Sequence, residues 1–238
     1  MADPEQVNDR MRELSLKLPV DSDIQIAIRF IEQSALYYAQ VRGLGTLKLN
    51  STKEYVEKYT EEFYLVDLYY RRTLEAYHEL ITKENPIEQT LSDAKHQLDL
   101  EYAKITNVLN LEWLTCVGEK GAWFTETGLK RQEDFYKNES DTSVKQVVIV
   151  CDALRYEVAK ELMQELAKEK HIATIDAYQA MLPTETKYCK SALLPHHSLE
   201  LNGTDMMVDG MVLEKNRTAD NTFGQNIVKE LSVCAMKT

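Results

Sequence analysis

A chain of 238 residues holds two small domains or one large one, and with 44% apolar residues it can bury a sizeable core. Its net charge of −11 argues against binding nucleic-acid phosphates unless a local basic patch exists, and the longest basic runs are the pairs Arg71-Arg72 and Lys130-Arg131. The four scattered cysteines, Cys116, Cys151, Cys189 and Cys234, lack zinc-ribbon spacing, the amino terminus lacks a signal-peptide core, and no apolar run approaches the ~20 residues that span a bilayer, so the expectation is a soluble cytoplasmic protein with reduced thiols.

The first half reads as helical. Ile24, Ile28, Ile31, Ala35 and Tyr38 fall at the three-and-four spacing of one helix face, which stops near Gly43 and Gly45. Ser51 is placed to cap a second helix, with Glu54 three residues on completing a capping box. Its expected buried stripe is Tyr55, Tyr59, Phe63, Val66, Tyr70, Leu74, Tyr77 and Ile81. Asn85-Pro86 separates it from a third helix with the stripe Ile87, Leu91, Ala94, Leu98, Tyr102, Ile105 and Leu109. Both long stripes alternate threes and fours, as in helix bundles. The tyrosines lie on these stripes, so they read as core residues whose hydroxyls reach the stripe edge.

A short helix over roughly 125–136 and a polar linker, Lys137 to Ser143, close the helical domain at 1–143. From 144 to 238 the period changes to α/β. "QVVIV" has strand length without alternation and predicts a strand buried on both faces, with Cys151 as a small buried hydrophobe. A helix with Leu154, Val158, Leu162 and Leu166 on one side comes next, then a strand over Ile172–Tyr178, which together make a right-handed βαβ unit. "MLPTETKYCKSALLPHH" reads as a loop and a helix from about Thr186 to Leu194, stopped by Pro195. Asn202-Gly203 is a turn signal between two short strands, and Phe223 to about Met236 is amphipathic. Strands are expected only from about Lys145 onward.

Asp152 lies just past the "QVVIVC" strand, where the strand ends of an open sheet face a ligand crevice. "DALRYE" contains no glycine, which excludes a phosphate-binding Gly-rich loop. The haloacid-dehalogenase type of aspartyl-phosphate chemistry wants a second aspartate where Leu154 stands. Two uses remain: a ligand to a hard cation, or an N-cap to the next helix. "LPTET" likewise offers Thr184 or Thr186 as helix caps, or as a hydroxyl nucleophile near a positive helix end.

Taken together, Val147–Glu157 and, about thirty residues on, Leu182–His196 resemble the PglZ domain family, a branch of the alkaline-phosphatase superfamily found in bacteriophage-exclusion (BREX) defence systems. "ALLPH", Ala192 to His196, and "VDG", Val208 to Gly210, continue the resemblance, and Trp113 and "RQEDFY", Arg131 to Tyr136, look like the region preceding the domain in type A members. The resemblance implies a parallel or mixed sheet with flanking helices. It implies that Asp152 ligates a divalent metal, and that Thr186 is both the nucleophile and a metal ligand. Zinc is the implied metal, with two ions in a complete domain.

Superfamily members complete such a site with further aspartates and histidines, often in an Asp-His-Gly motif, and this sequence has no Asp-His dipeptide. The chain is therefore expected to be a helical leader plus an incomplete catalytic domain, inactive by itself. His78, His96, His171, His196 and His197 read as ordinary polar histidines. Two functions compete. One is a metal-dependent phosphatase or phosphodiesterase in phage exclusion, acting on a phosphorylated substrate or nucleic acid. The other is a non-catalytic helical scaffold that docks other BREX components. In neither case is a membrane expected. In the first, Asp152 and Thr186 face each other across one crevice.

Overall fold

The computed structural model describes residues 3–17, 23–81, 88–118, 127–139, 143, 148–151, 154–181 and 184–212. They fall in two compact units, Met1–Thr127 and Gly128–Thr238.

The elements of the first unit are all helical: α1 (Pro4–Ser15), α2 (Asp23–Gly43), α3 (Thr52–Lys58), a π-helical turn (Tyr59–Phe63), α4 (Tyr64–Ile81) and α5 (Glu88–Val117), among the described residues. Helix α2 packs on α1 and α4, and α4 on α5. Ile26, Ala27 and Phe30 of α2 meet Ala76 and Leu80 of α4 and Leu91 of α5. Further along, Tyr37, Val66 and Leu98 form the next layer. The stripe expected on α2 is only partly the buried one, since Ile24 and Ile31 are exposed and Ile26, Ala27, Phe30 and Tyr37 are inside. A helix held between two neighbours buries a wider face than a single stripe, and the side toward α4 dominates here.

Ser51 caps α3 as expected, accepting the Glu54 N–H at 3.2 Å, while the Glu54 carboxylate reaches back to the Asn50 N–H at 2.9 Å, one residue before the usual partner. The expected single helix over 51–81 is interrupted by the π turn, where the Thr60 hydroxyl donates to the Val56 and Glu57 carbonyls. The extra residue in a π turn rotates the helix after it relative to the helix before it. Beyond Val66 the buried positions are Leu68, Thr73, Ala76 and Leu80, the last three one residue ahead of the expected Leu74, Tyr77 and Ile81. On α5, Leu91 and Leu98 are buried as expected, Ala94 is exposed, and Asn85, Pro86 and Ile87 lie outside the described residues.

Tyr37 and Tyr55 are buried, Tyr59, Tyr70 and Tyr102 are half-buried, and the hydroxyls of the last three reach carboxylates. Tyr59 and Tyr102 both donate to Asp67, each at 2.7 Å. Tyr70 donates to Asp99 at 3.0 Å and stacks on Tyr102 with ring centroids 3.7 Å apart. Burial, then the Asp99 contact, push the Tyr70 phenol up to about 12.

The second unit holds β1 (Lys130–Arg131), a 3₁₀ turn (Gln132–Asp134), α6 (Phe135–Glu139), α7 (Tyr156–Lys168), β2 (Tyr178–Gln179), α8 (Thr186–Ala192), β3 (Leu199–Asn202), β4 (Asp205–Val208) and β5 (Met211–Val212). β1 pairs parallel to β2, with Lys130 opposite Tyr178 and Arg131 opposite Gln179. β3, β4 and β5 form an antiparallel meander. Parallel and antiparallel pairing flanked by helices bear out the mixed α/β class. Strands begin at Lys130, earlier than expected, because a two-residue strand leaves no periodicity to read. The helix expected over 125–136 starts only at Gln132.

Val148, Ile149 and Val150 are 39%, 49% and 48% exposed, Cys151 is exposed, and no described strand pairs with them. The doubly buried strand and the βαβ unit are therefore not seen among the described residues. Burial on both faces needs a layer on each, which composition alone cannot supply. On α7 the buried residues are Tyr156, Glu157 and Ala159, while Val158, Leu162 and Leu166 are half-buried. The amphipathic stretch from Phe223 to Met236 and Cys234 lie outside the described residues.

The Tyr37 hydroxyl is fully buried and has no hydrogen-bond partner among the described residues. An unsatisfied buried hydroxyl is destabilising. Tyr37→Phe is expected to raise the stability of the helical unit by about 1 kcal/mol in denaturant titration. A loss of similar size would reveal a partner for that hydroxyl.

Candidate functional site

The segment that carries Thr186 is built from its neighbours upward. β1–β2 pairing is locked at its start by Lys130, whose ammonium lies 3.0 Å from Asp176 and 3.2 Å from Glu139 and over the Tyr178 ring. Those two carboxylates, Asp176 foremost, hold the ammonium charged well above its ordinary range. The Tyr178 hydroxyl donates to Glu139 as well. The register sets Arg131 opposite Gln179, so the next residue, Gln132, arrives beside Met181. The Gln132 amide oxygen accepts the Met181 N–H at 3.0 Å, and its amide nitrogen donates to the Cys189 carbonyl at 3.2 Å. The Cys189 thiol closes the same turn on the Met181 carbonyl at 3.4 Å. Burial pushes that thiol's pKa up.

Helix α8 points Tyr188, Ser191 and Ala192 inward, a three-and-four pattern, and all three are buried. Tyr188 packs on Met206 and Val208 of the meander and donates to the Thr204 carbonyl at 3.1 Å. Gly203 turns β3 into β4 with φ 62°, as the Asn202-Gly203 signal predicted. Asp209 and Gly210, φ 51° and 78°, fit the two positive-φ sites of a type I′ turn between β4 and β5. The Asp209 carboxylate accepts the backbone N–H groups of His197 and Ser198, each at 2.8 Å, which ties the chain beyond α8 to the meander. With its inner face so held, α8 leaves Thr186 exposed, and Thr184 and Glu185 are exposed beside it.

The N-cap position of α8 is Glu185, whose side chain makes no capping hydrogen bond, and its first helical residue is Thr186. The N-cap of α7 is Arg155, three residues after Asp152, beyond the one or two residues by which helix ends are uncertain. Asp152 itself, and Pro183, lie outside the described residues, as does the separation of Asp152 from Thr186.

Glu157 carries no signal in the sequence. It lies in the first turn of α7 with its carboxylate fully buried, 3.8 Å from the Arg155 guanidinium. Arg155 and the helix N-terminus offset the cost of burying that charge. Gln132 is equally silent, because a lone glutamine in a polar stretch fits no pattern. His78, His96, His171 and His197 are exposed, and His196 is half-buried with its Nδ1 at 2.7 Å from the Leu194 carbonyl.

Among the described residues no group of three or more His, Cys, Asp or Glu could hold a metal ion. Of the expected ligands they include only the Thr186 hydroxyl, and one hydroxyl does not make a metal centre. No described helix is long and apolar enough to cross a membrane.

Residues 133–237 match the family model of the BREX system PglZ alkaline phosphatase-like domain. The chain is 30% identical over 184 residues to the alkaline phosphatase-like protein PglZ of Bacillus cereus (strain H3081.97), covering 72% of this chain and 21% of that protein. It is 36% identical over 94 residues to the alkaline phosphatase-like protein BrxZ of Escherichia coli O9:H4 (strain HS), covering 35% of this chain and 11% of that one. The chain thus spans about a fifth or less of these relatives. No solved structure matches it. The resemblance read from "DALRYE" and "LPTET" is borne out for the matched segment.

Asp209 gives this region a pH signature. The Ser198 and His197 amides hold its carboxyl below the usual carboxylate range. A depressed carboxylate stabilises the fold above its unfolded pKa of about 3.9 and loses that contribution as pH falls through the folded value. Thermal melts of Asp209→Asn should lie below the parent at pH 7 and converge with it as pH falls below the depressed folded value. A gap that does not change with pH would contradict this.

Proposed function

We propose that, as a PglZ alkaline phosphatase-like segment, residues 133–237 carry part of a metal-dependent phosphoric-ester hydrolase that acts in bacteriophage exclusion. The observation that supports it is the setting of Thr186: an exposed residue at the first position of a helix whose other face is buried. In this reading the Thr186 oxygen forms a bond to phosphorus, the ester oxygen leaves with its electron pair, and water later releases the phosphate from Thr186. Asp152 and Thr186 are the proposed ligands of a divalent ion, with zinc first in order and two ions in a complete site. Such an ion neutralises charge on the transferring phosphoryl group and lowers a hydroxyl pKa. Substrates are phosphomonoesters or phosphodiesters, nucleic acid among them, and the partners are other BREX components in the cytoplasm.

A second reading has one observation behind it. Helix α5 leaves Leu100, Leu111 and Leu114 exposed along one side, a face that another protein's helix could cover. The protein would then act as a scaffold for other BREX components.

One pair of assays separates the two. In the full natural polypeptide that carries this sequence, Thr186→Ala and Asp152→Ala should each cut hydrolysis of p-nitrophenyl phosphate or bis(p-nitrophenyl) phosphate by about a thousandfold or more. Both should also abolish phage restriction in cells. Restriction that survives Thr186→Ala undiminished would favour the scaffold.

A further inference from the structure

We infer that Gln132 is the positioning residue for Thr186: its side-chain amide clamps the two ends of the segment that presents the threonine. The inference rests on the reading of Thr186 as the nucleophile for its catalytic consequence, but the clamp itself stands on geometry. The amide oxygen takes the Met181 N–H on the way into the segment, and the amide nitrogen takes the Cys189 carbonyl on the way out. The Cys189 thiol joins the same two ends directly. Between these fixed points lie seven residues, 182–188, and Thr186 is among them.

Glutamine suits this position because its side chain is both donor and acceptor, whereas glutamate only accepts and leucine does neither. Its placement comes from the parallel register of β1 on β2, which the Lys130 contacts with Asp176 and Glu139 hold. The amide bonds Met181 and Cys189, on either side of the threonine, so Gln132 acts by fixing where the hydroxyl stands. A displacement of the reacting oxygen by about 1 Å can cost roughly a hundredfold in rate.

The test compares Gln132→Ala and the isosteric Gln132→Glu with the parent in the full natural polypeptide. Hydrogen exchange of residues 184–190, alkylation of Cys189 by iodoacetamide, and phosphoester hydrolysis are measured together. In Gln132→Ala, exchange across 184–190 and the Cys189 alkylation rate should both rise about tenfold through local opening. Exchange across 199–208 and alkylation of Cys116 should not change. Gln132→Glu keeps the acceptor for Met181 and loses the donor to Cys189, so it should fall between the two. kcat should drop with KM nearly unchanged. Unaltered exchange and alkylation in both variants overturns the inference, and so does an equal rise across 199–208, which marks general loosening. If the segment loosens as expected while the parent hydrolyses no phosphoester, the clamp stands and the nucleophile reading fails.

Discussion

A primary amide can satisfy a backbone donor and a backbone acceptor at once, and the Thr186 segment depends on one that does so. Gln132 joins Met181 to Cys189, a residue of the seven-residue helix that carries Thr186. Helices that short draw little stability from their own hydrogen bonds and rely on packing. Here the packing comes from Tyr188 against Met206 and Val208, and the far end is tied by Asp209 to His197 and Ser198. Each contact is modest alone. Acting on one short stretch of chain, they fix the backbone beneath an exposed hydroxyl-bearing side chain, which is what a nucleophile needs before binding energy can be turned to rate.

The helical unit meets a related demand by different means. Its interior is rich in tyrosine, and most buried phenols find a partner for the hydroxyl. Asp67 serves two such hydroxyls, from Tyr59 and Tyr102, and Asp99 serves Tyr70 and the Lys95 ammonium. These carboxylates link the π turn, α4 and α5 by directional bonds, which set helix rotation more narrowly than apolar contact alone. The π turn at Tyr59–Phe63 is part of this arrangement, since Tyr59 donates from within it.

The features legible in the sequence are those that repeat or have a fixed local geometry. Helix spacing reveals α2, α4 and α5, the Ser51 cap marks the start of α3, and Asn202-Gly203 marks the β3–β4 turn. Two local motifs are enough to identify the PglZ alkaline phosphatase-like segment. Phase is harder. Phe63 and Val66 are buried as the spacing expects, but further along α4 the buried face moves to Thr73, Ala76 and Leu80, which three-and-four extrapolation does not foresee. The run of valine and isoleucine before Asp152 shows what composition leaves open: it fits a strand covered on both faces, yet Val148, Ile149 and Val150 stand exposed. Gln132 and Glu157 are silent because their roles come from partners brought together by β-pairing and by burial, and no spacing rule encodes either.

The central claim is that Thr186 is the atom donor to phosphorus, and its most direct test is to find where the phosphoryl group goes. The full natural polypeptide would be mixed with a ³²P-labelled phosphoester, quenched in acid within milliseconds, digested and mapped by mass spectrometry. The account predicts label on the peptide containing Thr186, at the threonine oxygen. Label on another side chain would contradict it.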